Sequence, residues 1–279
     1  MGLLVAGAAA LGLLIGSFLN VVVWRVPRGE SVVTPGSHCP HCDAPIRPWD
    51  NIPVLSWLIL RGRCRDCKAP ISARYPLVEL TTGIVFAGVT FHVLNSTIGV
   101  DPAAQPGGWW LPTVLTVLAF LYLAAVSIAL ILIDLEHHRL PNSIVLPSYI
   151  VGILLLTAAS LTAGDHPAIL RAGIGMAALF AGYLAVALIR PGGMGMGDVK
   201  LAGVLGLYLA WCGWGQFAVG VFAAFLLGGL YSVVLLVIRR ANRKTAIPFG
   251  PWMIIGAWIG IGLGAHIWAG YLASFGIVN

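Results

Sequence analysis

PTVLTVLAFLYLAAVSIALILIDLEHHRLPN, residues 112–142, decides the fold. No charge occurs in it before Asp134, and Glu136, His137, His138 and Arg139 then follow ahead of Leu140-Pro141-Asn142. About 20 apolar residues match the hydrocarbon thickness of a bilayer. The stretch therefore predicts a membrane-spanning helix over 112–134 that ends on an aspartate at the interface.

The rest of the chain repeats this pattern. Of 279 residues, 59% are hydrophobic and 9% are charged, against about 25% charged in an ordinary globular chain. The mean hydropathy is +0.93. Water cannot be the solvent for most of such a surface. Seven further spans follow at 2–24, 77–95, 142–162, 168–190, 198–214, 215–238 and 250–274. The spans 198–214 and 215–238 meet within Cys212-Gly213-Trp214-Gly215, where the boundary is least determined. The expected fold is an all-α polytopic membrane protein of about eight transmembrane helices with a small cytoplasmic zinc-binding-type loop domain. Residues 1–24 form the first helix, 25–76 a cytoplasmic four-cysteine domain, and 77–279 a seven-helix membrane domain.

Charge tests the count. Residues 2–24 lack the basic start of a cleavable signal, and Arg25 and Arg28 follow them. That pattern predicts a retained helix with its N-terminus outside. Eight spans then put 15 of the 16 Lys and Arg residues on the cytoplasmic side, and only Arg171 falls outside. Both termini are expected outside. The net charge of +6 is thus a topology signal, with lipid headgroups as a second use. No nucleic-acid-binding module is visible, and no nucleic-acid partner is expected.

Asp134 ends one span, and Asp198 opens another within Gly193-Met194-Gly195-Met196-Gly197-Asp198-Val199-Lys200. The topology puts both on the cytoplasmic side. Ionisable groups at membrane depth are costly and point to function. Two carboxylates held together share a proton. The ionised one can take a proton from water while the neutral one polarises a carbonyl. That is aspartic protease chemistry, and it needs no metal. Gly195 and Gly197 allow tight turns and close approach of a peptide. Helix ends bias the shared proton toward Asp134, which sits near a C-terminus, and away from Asp198 near an N-terminus. Taken singly, Asp198 also reads as a helix cap and Asp134 as a stop at the interface. His137 and His138 either tune Asp134, bind substrate or face solvent.

Cys39-Pro40-His41-Cys42 and Cys64-Arg65-Asp66-Cys67 pair two CxxC turns across 21 residues. Such turns suit tetrahedral Zn²⁺ through Cys39, Cys42, Cys64 and Cys67. The reducing cytoplasmic side argues against disulfides, and a short loop with little core gains from a metal staple. Closed Cys₄ coordination is structural, and redox or unligated cysteines are the other reading. His38 and His41 are alternative ligands or plain loop residues. Cys212 lies in a span and reads as packing.

Together these residues bring the chain to a family. Gly16-Ser17-Phe18-Leu19-Asn20-Val21 with Arg25 and Pro27, both CxxC pairs, Ile52-Pro53-Val54-Leu55-Ser56-Trp57, and Arg74-Tyr75-Pro76-Leu77-Val78-Glu79 come first. Asp134 with Leu140-Pro141-Asn142, Gly195-Met196-Gly197-Asp198-Val199-Lys200, and Ile247-Pro248-Phe249-Gly250-Pro251 complete the set. In order and spacing, almost end to end, they resemble the bifunctional prepilin leader peptidases/N-methyltransferases, also called type 4 prepilin peptidases. The resemblance implies GxGD-type aspartyl proteolysis with Asp134 and Asp198 catalytic, and Gly195, Gly197 and Lys200 in support. It implies prepilin and pseudopilin substrates, cut after a glycine that follows a short basic leader, at the cytoplasmic face of the bacterial inner membrane. It also implies methylation of the new N-terminus from S-adenosylmethionine, associated with the cysteine loop. No soluble Rossmann-type glycine fingerprint is present for that cofactor. Glu79 is a candidate to hold the substrate amine, or simply a favourable charge at a helix N-terminus. Gly16, Ser17 and Asn20 share a helix face, and either pack helices or touch substrate.

Three alternatives stay open. One is a peptidase without methylation. Another is a transporter that uses the same acidic pair as a proton or ion site. The third is a zinc-loop scaffold without catalysis.

Overall fold

A computed structural model describes residues 1–96, 108, 110–189, 194–238 and 248–277. Its helices are α1 (Gly2–Arg25), α2 (Leu55–Ile59), α3 (Arg74–Ser96), α4 (Trp110–His137), α5 (Asn142–Ala163), α6 (His166–Ile189), α7 (Met196–Cys212), α8 (Trp214–Val237) and α9 (Gly250–Ser274). There is no named strand among the described residues. Seven of the helices are long and apolar enough to cross a membrane.

The expected span 198–214 is α7, and it differs in kind from the others. It has 17 residues, 11 of them buried, and is about 25 Å long at the usual helical rise. Its neighbours carry exposed apolar residues such as Leu154, Ile174 and Phe222, as helices in contact with lipid do. The break before α8 falls at Gly213, where φ is +149°, a conformation nearly reserved for glycine.

The chain divides into two compact units. The first holds residues 1–98 with 120–129, and the second holds 99–119 with 130–279. In the first, α1 and α3 pack antiparallel through small residues. A Cβ on Gly12 would lie 2.7 Å from the Thr82 carbonyl oxygen, and one on Gly16 would lie 2.7 Å from Glu79 Cα. Farther along, Asn20 Nδ2 donates to the Tyr75 carbonyl at 3.2 Å. Close backbone approach of this kind replaces the hydrophobic drive that lipid removes. The Gly16/Asn20 face thus packs against α3.

In the second unit α7 is the core. Tyr208 is fully buried, and its hydroxyl donates to the Ala119 carbonyl at 3.2 Å. Tyr149 of α5 donates to the Lys200 carbonyl at 2.5 Å. The helices α6 and α7 touch backbone to backbone, since a Cβ on Gly206 would lie 2.9 Å from the Gly175 carbonyl carbon. Gly206→Val is therefore expected to overpack this contact and destabilise the protein by about 1–3 kcal/mol. Thermal unfolding in detergent against wild type measures it.

Candidate active site and metal centre

Local chain rules place the two aspartates. Helix α4 runs past the end of its apolar stretch, so Asp134 lies inside its last turn. The His138 N–H donates to the Asp134 carbonyl at 2.9 Å, and His138 takes a left-handed φ of 51° that turns the chain out of the helix. Asp198 is the third residue of α7. Its Oδ2 accepts the Gly195 N–H at 3.2 Å, and its own N–H reaches back to the Gly195 carbonyl at 3.0 Å. The capping role of Asp198 is thus present, and it ties the carboxylate to the glycine turn.

The two carboxylates lie within electrostatic range of each other. Asp134 is only 5% exposed, and its Oδ2 has no hydrogen-bond partner. A buried carboxyl oxygen with no donor is expensive in a structural site, and ordinary in one that awaits water or a substrate carbonyl.

The surrounding motifs converge here. Leu140 lies against Gly197, where a Cβ would be 2.9 Å from the Leu140 Cβ. Lys200 Nζ donates to Asn142 Oδ1 at 2.9 Å. Lys200 thus binds the start of α7 to the start of α5. Gly250 opens α9 directly against the dyad, for a Cβ there would lie 2.7 Å from Asp134 Oδ2. Gly250→Ala is expected to push the Asp134 carboxyl aside and cut any turnover that rests on the pair by about a hundredfold, as an ångström-scale misplacement can. Turnover with unchanged thermal stability is the measurement.

Sequence reasoning gave Gly250 no role, although its Pro248-Phe249-Gly250-Pro251 motif starts a helix on the same side as both aspartates. It also passed over Tyr183. That residue is buried and senses the Asp198 charge. Its ring meets Phe225 at 5.6 Å and Phe249 at 6.3 Å between centroids. Only tertiary structure joins these three helices. His138 is exposed and lies within electrostatic reach of Asp134. Gly193, Arg190 and the basic residues Arg239, Arg240, Arg243 and Lys244 lie outside the described residues.

The four cysteines form a second centre in the first unit. Their sulfurs all lie within 4.8 Å of one another, with Cys39 and Cys67 at 3.8 Å. Metal–sulfur bonds of about 2.3 Å in a tetrahedron set sulfurs roughly 3.8 Å apart. The donor set therefore fits a tetrahedral ion. His38 and His41 are not in the cluster. His38 instead contacts the Gly36 carbonyl and Asp43.

The centre is built from a repeat that the sequence reading did not register. Cys39-x-x-Cys42-x-Ala44-Pro45-Ile46 recurs as Cys64-x-x-Cys67-x-Ala69-Pro70-Ile71. Each half folds alike. Cys39 and Cys64 donate their N–H groups to Ala44 and Ala69, and Asp43 and Lys68 donate theirs to Cys39 and Cys64. Asp43 and Lys68 both take left-handed φ values, 58° and 61°. The N–H groups of His41 and then Cys42 hold the Cys39 thiol down at about 6. For Cys42 the Ala44 N–H pulls downward, but Cys67, burial, Cys39 and Cys64 outweigh it and push the thiol up to about 12. Crowded thiolates repel one another, and a divalent cation relieves that repulsion. Arg65 also clamps Asp50 through three contacts of 2.6–3.0 Å, which hold that carboxyl below the usual range. Arg47 bonds Asp66 at 3.1 Å.

Glu79 lies in this first unit, 8% exposed, and its Oε2 accepts the Val54 N–H at 2.7 Å. Val54 has φ 61°. For a β-branched residue that conformation costs about 1–3 kcal/mol and persists only where neighbours enforce it.

Two family profiles match the chain. One is described as the bacterial peptidase A24 N-terminal domain, over residues 10–93. The other is the type IV leader peptidase family, over residues 121–233. A protein of Stutzerimonas stutzeri named prepilin leader peptidase/N-methyltransferase is 37% identical, covering 95% of this chain and 92% of its own. A protein of the same name from Pseudomonas aeruginosa is 36% identical over 95% and 92% of the two chains. One from Neisseria gonorrhoeae is 35% identical over 94% and 91%. No solved structure matches the chain at a significant level.

Proposed function

The chain belongs to the type IV leader peptidase family, and from that membership we propose that it removes prepilin and pseudopilin leaders with Asp134 and Asp198 and methylates the new N-terminus. One observation carries the peptidase assignment. Asp134, buried with an unpartnered Oδ2, shares its site with Asp198 at the ends of two helices.

The reaction follows from the pair. The ionised aspartate takes a proton from a water molecule, whose oxygen attacks the carbonyl carbon of the leader's final glycine. The protonated aspartate gives its proton to the carbonyl oxygen. Collapse of the tetrahedral species breaks the C–N bond, and the amine leaves with a proton from the dyad. Asp198, with its Gly195 N–H and its place in the first turn of α7, is the ionised partner. Asp134, in the last turn of α4, carries the proton. Gly195 and Gly197 leave room for the substrate backbone, and Lys200 positions the turn through Asn142. The site lies at the cytoplasmic face of the bacterial inner membrane, with both chain termini outside.

Cys39, Cys42, Cys64 and Cys67 hold zinc as a structural staple. S-adenosylmethionine supplies the methyl group when bound. Among the described residues no strand–turn–helix cradle fits its adenosyl group, and no residue is assigned to hold it. Glu79 is the proposed holder of the substrate amine, and Asn20, bonded to the Tyr75 carbonyl, is the second candidate for contact with substrate. Glu79→Gln is expected to lower methylation about tenfold or more through loss of a charge-assisted contact, with cleavage unchanged. Separate assays of the two activities test it. Equal loss of both would assign Glu79 to folding.

The peptidase reading is tested with the purified chain in vesicles and a peptide of basic leader, glycine, phenylalanine and apolar helix. Cleavage after the glycine, insensitive to chelators, supports it. Intact peptide together with acid-dependent ion flux would favour a transporter.

A further inference from the structure

The four-cysteine unit exposes more apolar surface than a water-facing loop should. Helix α2 has two faces. Ser56 is buried, its hydroxyl donating to the Trp49 carbonyl at 2.9 Å, and Trp57 Nε1 donates to the Ile71 carbonyl at 3.0 Å. On the other face lie Leu55, Leu58 and Ile59, spaced i, i+3, i+4. They are 57%, 58% and 74% exposed, and Ile52 just before them is also exposed. Four large apolar side chains within eight residues of one short loop form a patch, and such patches mark contact with another phase or molecule.

The level of the patch is fixed. Val54, the residue before α2, donates its N–H to Glu79 of α3. Glu79 lies five residues into α3, about 8 Å along it. At that level α3 itself exposes Leu77 and Leu80, on a helix long and apolar enough to cross the bilayer. The α2 patch therefore lies at the level where a spanning helix also exposes apolar residues near its end. Charge identifies the occupant. Arg61 and Arg63 follow α2 directly and are exposed. The other basic groups of the unit are engaged, Arg47 with Asp66 and Arg65 with Asp50, and Lys68 with the Arg65 carbonyl. An apolar turn next to two unengaged arginines is the composition of an interfacial anchor for acidic headgroups.

We propose that the exposed face of α2 and Arg61 and Arg63 dock the four-cysteine unit onto anionic phospholipid at the membrane surface. Docking would hold the unit where a substrate's new N-terminus emerges from the bilayer. The inference needs only that the chain is embedded in a membrane, whichever reaction it performs.

The test uses the full chain in nanodiscs of phosphatidylcholine with phosphatidylglycerol. The photo-crosslinker p-benzoylphenylalanine replaces Ile59 in one variant and Leu58 in a second, so that one misfolded protein does not decide the matter. Irradiation is expected to give lipid adducts at both positions, enriched in phosphatidylglycerol over its share of the membrane. Arg61→Glu with Arg63→Glu should cut that enrichment by about fivefold or more. Adducts to a second copy of the chain or to an added prepilin would overturn the proposal. So would the absence of lipid adducts, or enrichment indifferent to the two arginines.

Discussion

Asp134→Asn and Asp198→Asn each lower leader cleavage by at least about a thousandfold, as loss of a general acid or base does. Asparagine is the informative choice. At position 198 its amide oxygen can still accept the Gly195 N–H that Asp198 Oδ2 accepts at 3.2 Å, so the start of α7 keeps its cap. Alanine would also remove the cap, worth about 1 kcal/mol, and would mix stability with chemistry. At position 134 the change removes a titratable group from a buried site and leaves the shape nearly unchanged. Both variants should therefore insert, purify and unfold like wild type while failing to cut. Their carboxyl bands report the shared proton. Vibrational titration should find it on Asp134 in the parent protein. A proton found chiefly on Asp198 would reverse the assignment of acid and base without removing the dyad.

Cys39→Ser is expected to abolish methyl transfer and leave leader cleavage close to wild type. The segment from Arg25 to Ala73 contains one five-residue helix and two short 3-10 turns, too little to bury a core. A structural zinc contributes on the order of 10 kcal/mol to such a unit, so a broken ligand set unfolds most of what the metal orders. The dyad belongs to the other unit, made of residues 99–119 and 130–279, and is spared. Zinc content by elemental analysis should fall together with transfer of label from S-adenosylmethionine. Cys64→Ser should match it, because the two half-sites fold alike. A cysteine variant that keeps methylation after losing its metal would remove zinc from the account.

Much of the fold was legible because lipid imposes a simple code. The spans 2–24, 142–162 and 250–274 fall within a residue of α1, α5 and α9, since apolar length and a charged or proline flank suffice to bound them. The misses have particular causes. Helix α4 runs to His137 rather than 134, because no helix breaker precedes Leu140-Pro141 and hydrogen bonds, unlike hydropathy, do not stop at a charge. Helix α7 starts two residues before Asp198, because that aspartate caps from the third position and not from the first. Asp134 and Asp198 were visible as charges in apolar surroundings. Gly250 and Tyr183 were not, because a glycine and a tyrosine in membrane helices are ordinary until the fold places them against a carboxylate. The doubled cysteine half-site was in plain view as a repeated Ala-Pro-Ile after each CxxC. A search aimed at long repeats passes over so short a unit.

The most direct measurement is the intact mass of a prepilin co-expressed with this chain. The wild-type protein should yield pilin that lacks its leader and carries one added methyl group. With Asp198→Asn the pilin should keep its leader, and with Cys39→Ser it should be cleaved but unmethylated. Leader removal that persists when both Asp134 and Asp198 are asparagine would contradict the account at its centre.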